Sequence, residues 1–139
     1  MEHLKIALSQ YGIKEIPGEV DNPEIIKYFN DLGFDSKAFK DETAWCSAVH
    51  NWIHKEAGLC YTGKLNARSW MDIGVEVLIP QIGDTVVFWR GSKDGWKGHV
   101  ALFINRIGDD IYVLGGNQSN QYCIKIYPSY RILGFRRLT

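Results

Sequence analysis

The hydrophobic period changes once along this chain, and that change confines it to a segregated α+β fold. Before about residue 74 the apolar residues recur at helical spacing. Leu4, Ala7, Leu8 and Tyr11 form one face, closed by Gly12. Pro17 and Gly18 mark a loop. Asn22-Pro23 reads as a helix cap and first turn, followed by Ile25, Ile26, Tyr28, Phe29 and Leu32, with Gly33 at the end. Asp41, Glu42 and Thr43 supply acidic and capping residues before a helix from Trp45 to Ala57, which Gly58 stops. A short helix is expected over Ala67 to Ile73, with Asn66 as its cap. After residue 84 the pattern becomes β-branched and aromatic: 84–90, 99–104, 111–114, 122–127 and 132–138 read as strands. Asp109-Asp110 and Gly115-Gly116-Asn117 read as turns between them. Helices first and a strand meander after predict N-terminal helices packed on an antiparallel sheet of about five or six strands.

Nothing divides the chain. With 139 residues and no Pro/Gly/Ser-rich linker, it reads as one domain, 1–139. The 16 basic and 16 acidic residues cancel, and no basic run is long enough for a nucleic-acid footprint. Three cysteines without short spacing argue against a disulfide framework or a zinc knuckle. No apolar stretch is long enough for a membrane span, and no Sec-type signal is visible. The expectation is synthesis in the cytoplasm, with action elsewhere requiring release or delivery.

Three residues stand in an order that suits nucleophilic catalysis. Cys46 falls in the first turn of the third helix, where unpaired backbone N–H groups favour a thiolate. His99 opens an apolar strand after Gly98, a rigid support for a base. Asn117 follows the next strand, where its side chain can orient the imidazole. Cys60 and Cys123 read as ordinary thiols. Trp45, Trp70, Trp89 and Trp96 are candidate groove aromatics, with Trp96, in its glycine-rich loop, the one expected to be exposed. Gln118 is a candidate substrate contact or second oxyanion donor. His50 and His54 share a helix face, but the zincin pattern would need Glu where Asn51 stands, so they read as surface or half-buried histidines. Asp41 and Glu42 point apart and fit capping better than paired-carboxylate catalysis. No metal site and no cofactor is expected.

Five segments together resemble the CHAP family, the cysteine- and histidine-dependent amidohydrolases and peptidases. They are Trp45-Cys46-Ser47-Ala48, Ala67-Arg68-Ser69-Trp70, Pro80 to Phe88, Gly98-His99-Val100-Ala101, and Gly115 to Ser119. The likeness is strongest to a compact phage- and prophage-associated branch, related to NlpC-type wall peptidases. It implies a papain-like fold, Cys46 as nucleophile, His99 as base and peptidoglycan as substrate. The bond cut would be that of an N-acetylmuramoyl-L-alanine amidase or of a peptide endopeptidase, as in an endolysin. A delivered toxin with an immunity or delivery protein would use the same chemistry. Two other readings remain open: a cysteine hydrolase of non-wall amides, and a catalytically silent wall-binding module.

Overall fold

The computed structural model describes residues 1–15, 22–34 and 44–139. The chain order is α1 (Glu2–Ser9), α2 (Pro23–Asp31), α3 (Ala44–Glu56), a 3₁₀ turn (Ala67–Asp72), β1 (Val75–Val77), β2 (Thr85–Trp89), β3 (Gly98–Ile107), β4 (Asp110–Gln118), β5 (Gln121–Pro128), a second 3₁₀ turn (Ser129–Arg131) and β6 (Ile132–Arg137). The expected Pro17-Gly18 loop and the Asp41-Glu42-Thr43 capping segment lie outside the described residues.

Local chemistry sets the helix ends. The Asn22 side chain accepts a hydrogen bond from the Glu24 amide at 2.9 Å, and Pro23 opens α2 where no donor is needed. Gly33 and Gly58 follow their helices at φ 85° and 73°, the left-handed conformation that glycine adopts without penalty. Asn66, expected to cap the next helix, makes no side-chain cap bond, and that segment is 3₁₀.

The six strands form one antiparallel sheet in the order β1-β6-β2-β3-β4-β5. Helix α3 lies against it. Trp45, Val49 and Ile53 pack with Tyr28 and Phe29 of α2 and with Leu102 and Leu114 of the sheet. Residues of opposite parity, Ala101, Phe103 and Val113, join Val86, Phe88, Ile111 and Phe135 in a second cluster, as strand alternation requires. The Asp84 carboxylate is gripped by the Arg137 guanidinium at 2.9 and 2.8 Å, which pins the start of β2 to the end of β6.

Two features depart from the sequence expectation. The short strand β1 pairs with β6 and was not anticipated. More consequentially, Gly115-Gly116-Asn117 is not a turn: β4 continues through it to Gln118. These glycines are there for close approach. A Cβ at Gly116 would lie 2.7 Å from Val49 and 2.8 Å from the Trp45 ring, so their absence lets α3 settle onto the strand. The reversal comes at Ser119 and Asn120, at φ 53° and 61° between the paired residues Gln118 and Gln121. A two-residue loop with both residues at positive φ is the type I′ pattern that matches strand twist.

Candidate active site

Cys46 sits in the first turn of α3, 1% exposed, packed among Ala67, Trp70, Val87 and Val100. Burial pushes its thiol up to about 11; the Val100 amide, the Arg90 charge and the local backbone amides pull it down without reversing this. The expected thiolate at the helix start is therefore corrected. The helix end does favour negative charge, but removal from water outweighs it. His99, on β3 beside Val100, is buried as well. Burial lowers its imidazole from 6.5 to about 4, against a raising hydrogen bond from Gln118, with Arg90 and Lys125 lowering it further. At neutral pH the resting pair is thiol and neutral imidazole.

The ring has a defined tautomer. His99 Nε2 lies 2.8 Å from Gln118 Oε1. The Gln118 amide nitrogen donates to the carbonyls of Val113 and Cys123, which fixes which end of the amide faces the ring. An amide oxygen only accepts, so Nε2 carries the hydrogen and Nδ1 keeps the lone pair. Sequence reasoning assigned this orienting role to Asn117 and made Gln118 a substrate contact or oxyanion donor. The structure gives the bond to Gln118, which is fully buried with its amide groups engaged, so the latter roles do not fit it. The cause is a β-bulge. Between the pairs Gly115↔Cys123 and Gln118↔Gln121, β4 carries one residue more than β5. Asn117 absorbs the extra residue at φ 56°, and the bulge re-aims the side chains beyond it.

The His99 ring is held by a second contact. Tyr127 stacks on it with centroids 4.9 Å apart and planes 19° apart, and stacks equally on Phe88 at 4.8 Å. Burial raises the Tyr127 phenol, and a thiolate charge at the nearby Cys46 adds to the rise. Next to these rings opens a cavity of about 280 Å³. His99 and Tyr127 form part of its wall, and Arg90, Lys125 and Arg131 bring three cations; Asn117, Ser119 and Asn120 complete the lining. Sequence reasoning did not pick out Gln118 as orienter, Tyr127, or these three cations. They are scattered over the loop after β2, over β4 and β5 and over the second 3₁₀ turn, and no local pattern links them.

The candidate groove aromatics separate, and none of the four lines the cavity; Trp70 is fully buried. Trp45 is 0% exposed, and its indole N–H donates to Glu15 at 2.7 Å, so it belongs to the core and not to a substrate wall. Trp96 is 68% exposed in the loop after β2, as its glycine-rich setting implies, and is not among the residues lining the cavity. That loop is tied down by Arg68, whose guanidinium donates to the carbonyls of Lys97, Lys93 and Ser92 at 2.8–2.9 Å.

His50 and His54 are buried, not surface or half-buried. His50 Nε2 meets Thr85 Oγ1 at 2.8 Å, and His54 Nδ1 donates to the His50 carbonyl at 2.7 Å. Their rings lie 4.4 Å apart beside Trp70. Among the described residues, no group of three or more His, Cys, Asp or Glu could hold a metal, and no helix is long and apolar enough to cross a membrane. Cys46, Cys60 and Cys123 are not joined in disulfides.

Helices packed on a six-stranded antiparallel sheet, with a cysteine at a helix start and a histidine on a neighbouring strand, make this a papain-like α+β fold. The fold is shared with a lipoprotein-like protein of the NLP/P60 family from Staphylococcus aureus, at a TM-score of 0.55 and 19% identity over 98% of this chain. The chain spans 40% of that protein's length. No family model matches the chain, and no curated protein matches it significantly.

Proposed function

We propose that this protein is a cysteine hydrolase of peptidoglycan amide bonds, with Cys46 as nucleophile and His99 as base. The observation that carries the reading is the His99–Gln118 hydrogen bond at 2.8 Å, which leaves Nδ1 as the basic nitrogen in a fold where a cysteine occupies the adjacent helix start. His99 Nδ1 takes the Cys46 proton as sulfur attacks the scissile carbonyl. The tetrahedral oxyanion is stabilised by the Cys46 backbone N–H at the helix end. The imidazolium then gives its proton to the leaving amine, and a thioester remains. Water, deprotonated by Nδ1, attacks the thioester; the acid departs and the thiol is regenerated. A buried neutral pair suits this order, because proton transfer accompanies attack and no standing thiolate is needed.

The wall as substrate is supported by the NLP/P60 fold likeness and by the CHAP-like motifs; the motifs alone support the phage-associated branch. The test is digestion of purified peptidoglycan by wild type and by Cys46→Ala, with products identified by mass. Fragments from the wild type alone are expected, and their masses separate amidase from endopeptidase. Folded wild type that releases nothing contradicts the reading. One observation favours a second reading: a thiol 1% exposed suits a binding module that keeps the fold without turnover. Sedimentation with insoluble wall, without any fragment release, would support it.

A further inference from the structure

The cavity beside His99 has a composition that the hydrolysis chemistry alone does not require. Its lining carries Arg90, Lys125 and Arg131 and no Asp or Glu. Among the described residues none of these cations has a carboxylate partner; the ion pairs there are Lys27–Glu24 and Arg137–Asp84. Three like charges around about 280 Å³ repel one another, and only an anion between them removes that cost. Arg131 is also held in advance of any ligand. Its guanidinium carbon lies 5.5 Å from the Trp89 ring centre and 5.7 Å from that of Tyr130. Its Nε–H is buried with no hydrogen-bond partner. A buried donor left unmet is costly, and the residue that carries it lines the cavity. Asn117, Ser119 and Asn120 add polar groups from the bulge and hairpin, the backbone features with left-handed φ.

We propose that this cavity is a specificity subsite that seats a free carboxylate carried by the substrate next to the scissile amide. His99 bounds both the cavity and the reaction centre, so an occupant lies within about one residue of the bond being cut. In a peptide the anion available at that distance is a carboxylate. The proposal rests on the hydrolase reading for its location. It adds that the enzyme prefers wall peptides whose carboxylates are free over those in which they are amidated. It also gives the cations a second role: a carboxylate between them offsets the positive field that disfavours imidazolium formation during turnover.

The test uses full-length Cys46→Ala protein, labelled with ¹⁵N, and soluble muropeptides from a muramidase digest of wall with free stem carboxylates. The same muropeptides are titrated after conversion of their carboxyl groups to primary amides. The acid form is expected to bind about ten-fold more tightly than the amide form, the scale of one charged hydrogen-bonding interaction. Arg131→Gln should remove most of that preference. Lys125→Gln, on an exposed edge-strand position that folding tolerates, should remove part of it, and added salt should weaken the acid form selectively. Equal affinity of the two forms, or no binding of either, overturns the subsite. Hydrolysis is scored separately from fragments released by wild type and not by Cys46→Ala. Fragments without an acid preference defeat only the subsite. An acid preference without fragments leaves a carboxylate-binding cavity and defeats the hydrolase reading.

Discussion

The molecule buries two kinds of histidine, and their surroundings differ in one respect that separates structure from chemistry. His50 and His54 lie in a stack of rings: 4.4 Å from each other, 4.5 and 5.1 Å from Trp70, with His3 at 5.5 Å from His54. His99 is just as buried, and its imidazole is lowered for the same first reason, burial. Yet one of its nitrogens is bound to Gln118 while its ring borders an open, cation-lined cavity. A depressed basicity therefore does not mark a reacting group. A fixed tautomer beside accessible space does.

The sharpest break in the comparison is turnover. Cys46→Ala or His99→Ala should lower fragment release by roughly four orders of magnitude, whereas His54→Gln should leave turnover per folded molecule unchanged. Equal losses from His54→Gln and His99→Ala, with both proteins folded, would erase the distinction.

Stability should respond to all three buried histidines, His99 included. His54 falls from 6.5 to about 4 in the folded protein, and His50 is also lowered. Below pH 6.5 the unfolded chain takes up protons that the folded core refuses. The stability that His54 contributes is thus complete above that pH, declines as pH falls, and levels off below about 4. His54 alone should cost about 3 kcal/mol over this window. Urea titrations of wild type and His54→Gln at stepped pH measure it, and the variant's curve should be flatter. A wild-type midpoint that does not move between these limits would show that the histidines are not buried as neutral groups.

Gln118 and Asn117 sharpen the comparison at the next level. Gln118→Leu frees the His99 ring to change tautomer and should reduce kcat by roughly 100-fold, a loss of about 2–3 kcal/mol. It should also change the pH–rate profile, which a purely structural defect would not. Asn117→Ala should have the smaller effect, expressed mainly in KM. The reverse order would return the orienting role to Asn117.

The smallest effect concerns the helix–strand contact that holds Cys46 near β3. Gly116→Ala places a methyl within 2.8 Å of the Trp45 ring and should destabilise the fold by about 1–3 kcal/mol. An unchanged thermal midpoint would mean that α3 has room to move off the strand.

The sequence made the helical and β halves legible because caps and periodicity are local. Asn22-Pro23 starts α2 as read, and Gly33 and Gly58 follow their helices in the left-handed conformation. The Cys46–His99 pair was legible for a related reason: a helix start and a strand start can each be read nearby. What escaped depends on register. A single extra residue in β4 is invisible to a period of two, so Gly115-Gly116-Asn117 looked like a turn and the orienting group moved by one position. The burial of Trp45, His50 and His54 escaped because α3 is enclosed beyond one face, by α1, α2 and the 3₁₀ turn as well as the sheet. A one-sided amphipathic reading leaves such residues half exposed. The cations of the cavity come together only once β2, β5 and the second 3₁₀ turn are in place.

The central claim is that burial keeps His99 neutral while Gln118 holds its hydrogen on Nε2 and leaves the lone pair on Nδ1. Long-range ¹H–¹⁵N correlation of the imidazole nitrogens, on wild type at neutral pH, measures this directly. The account predicts a protonated Nε2, an unprotonated Nδ1, and titration of the ring only near pH 4. A ring carrying hydrogen on Nδ1, or an imidazolium at neutral pH, would contradict it.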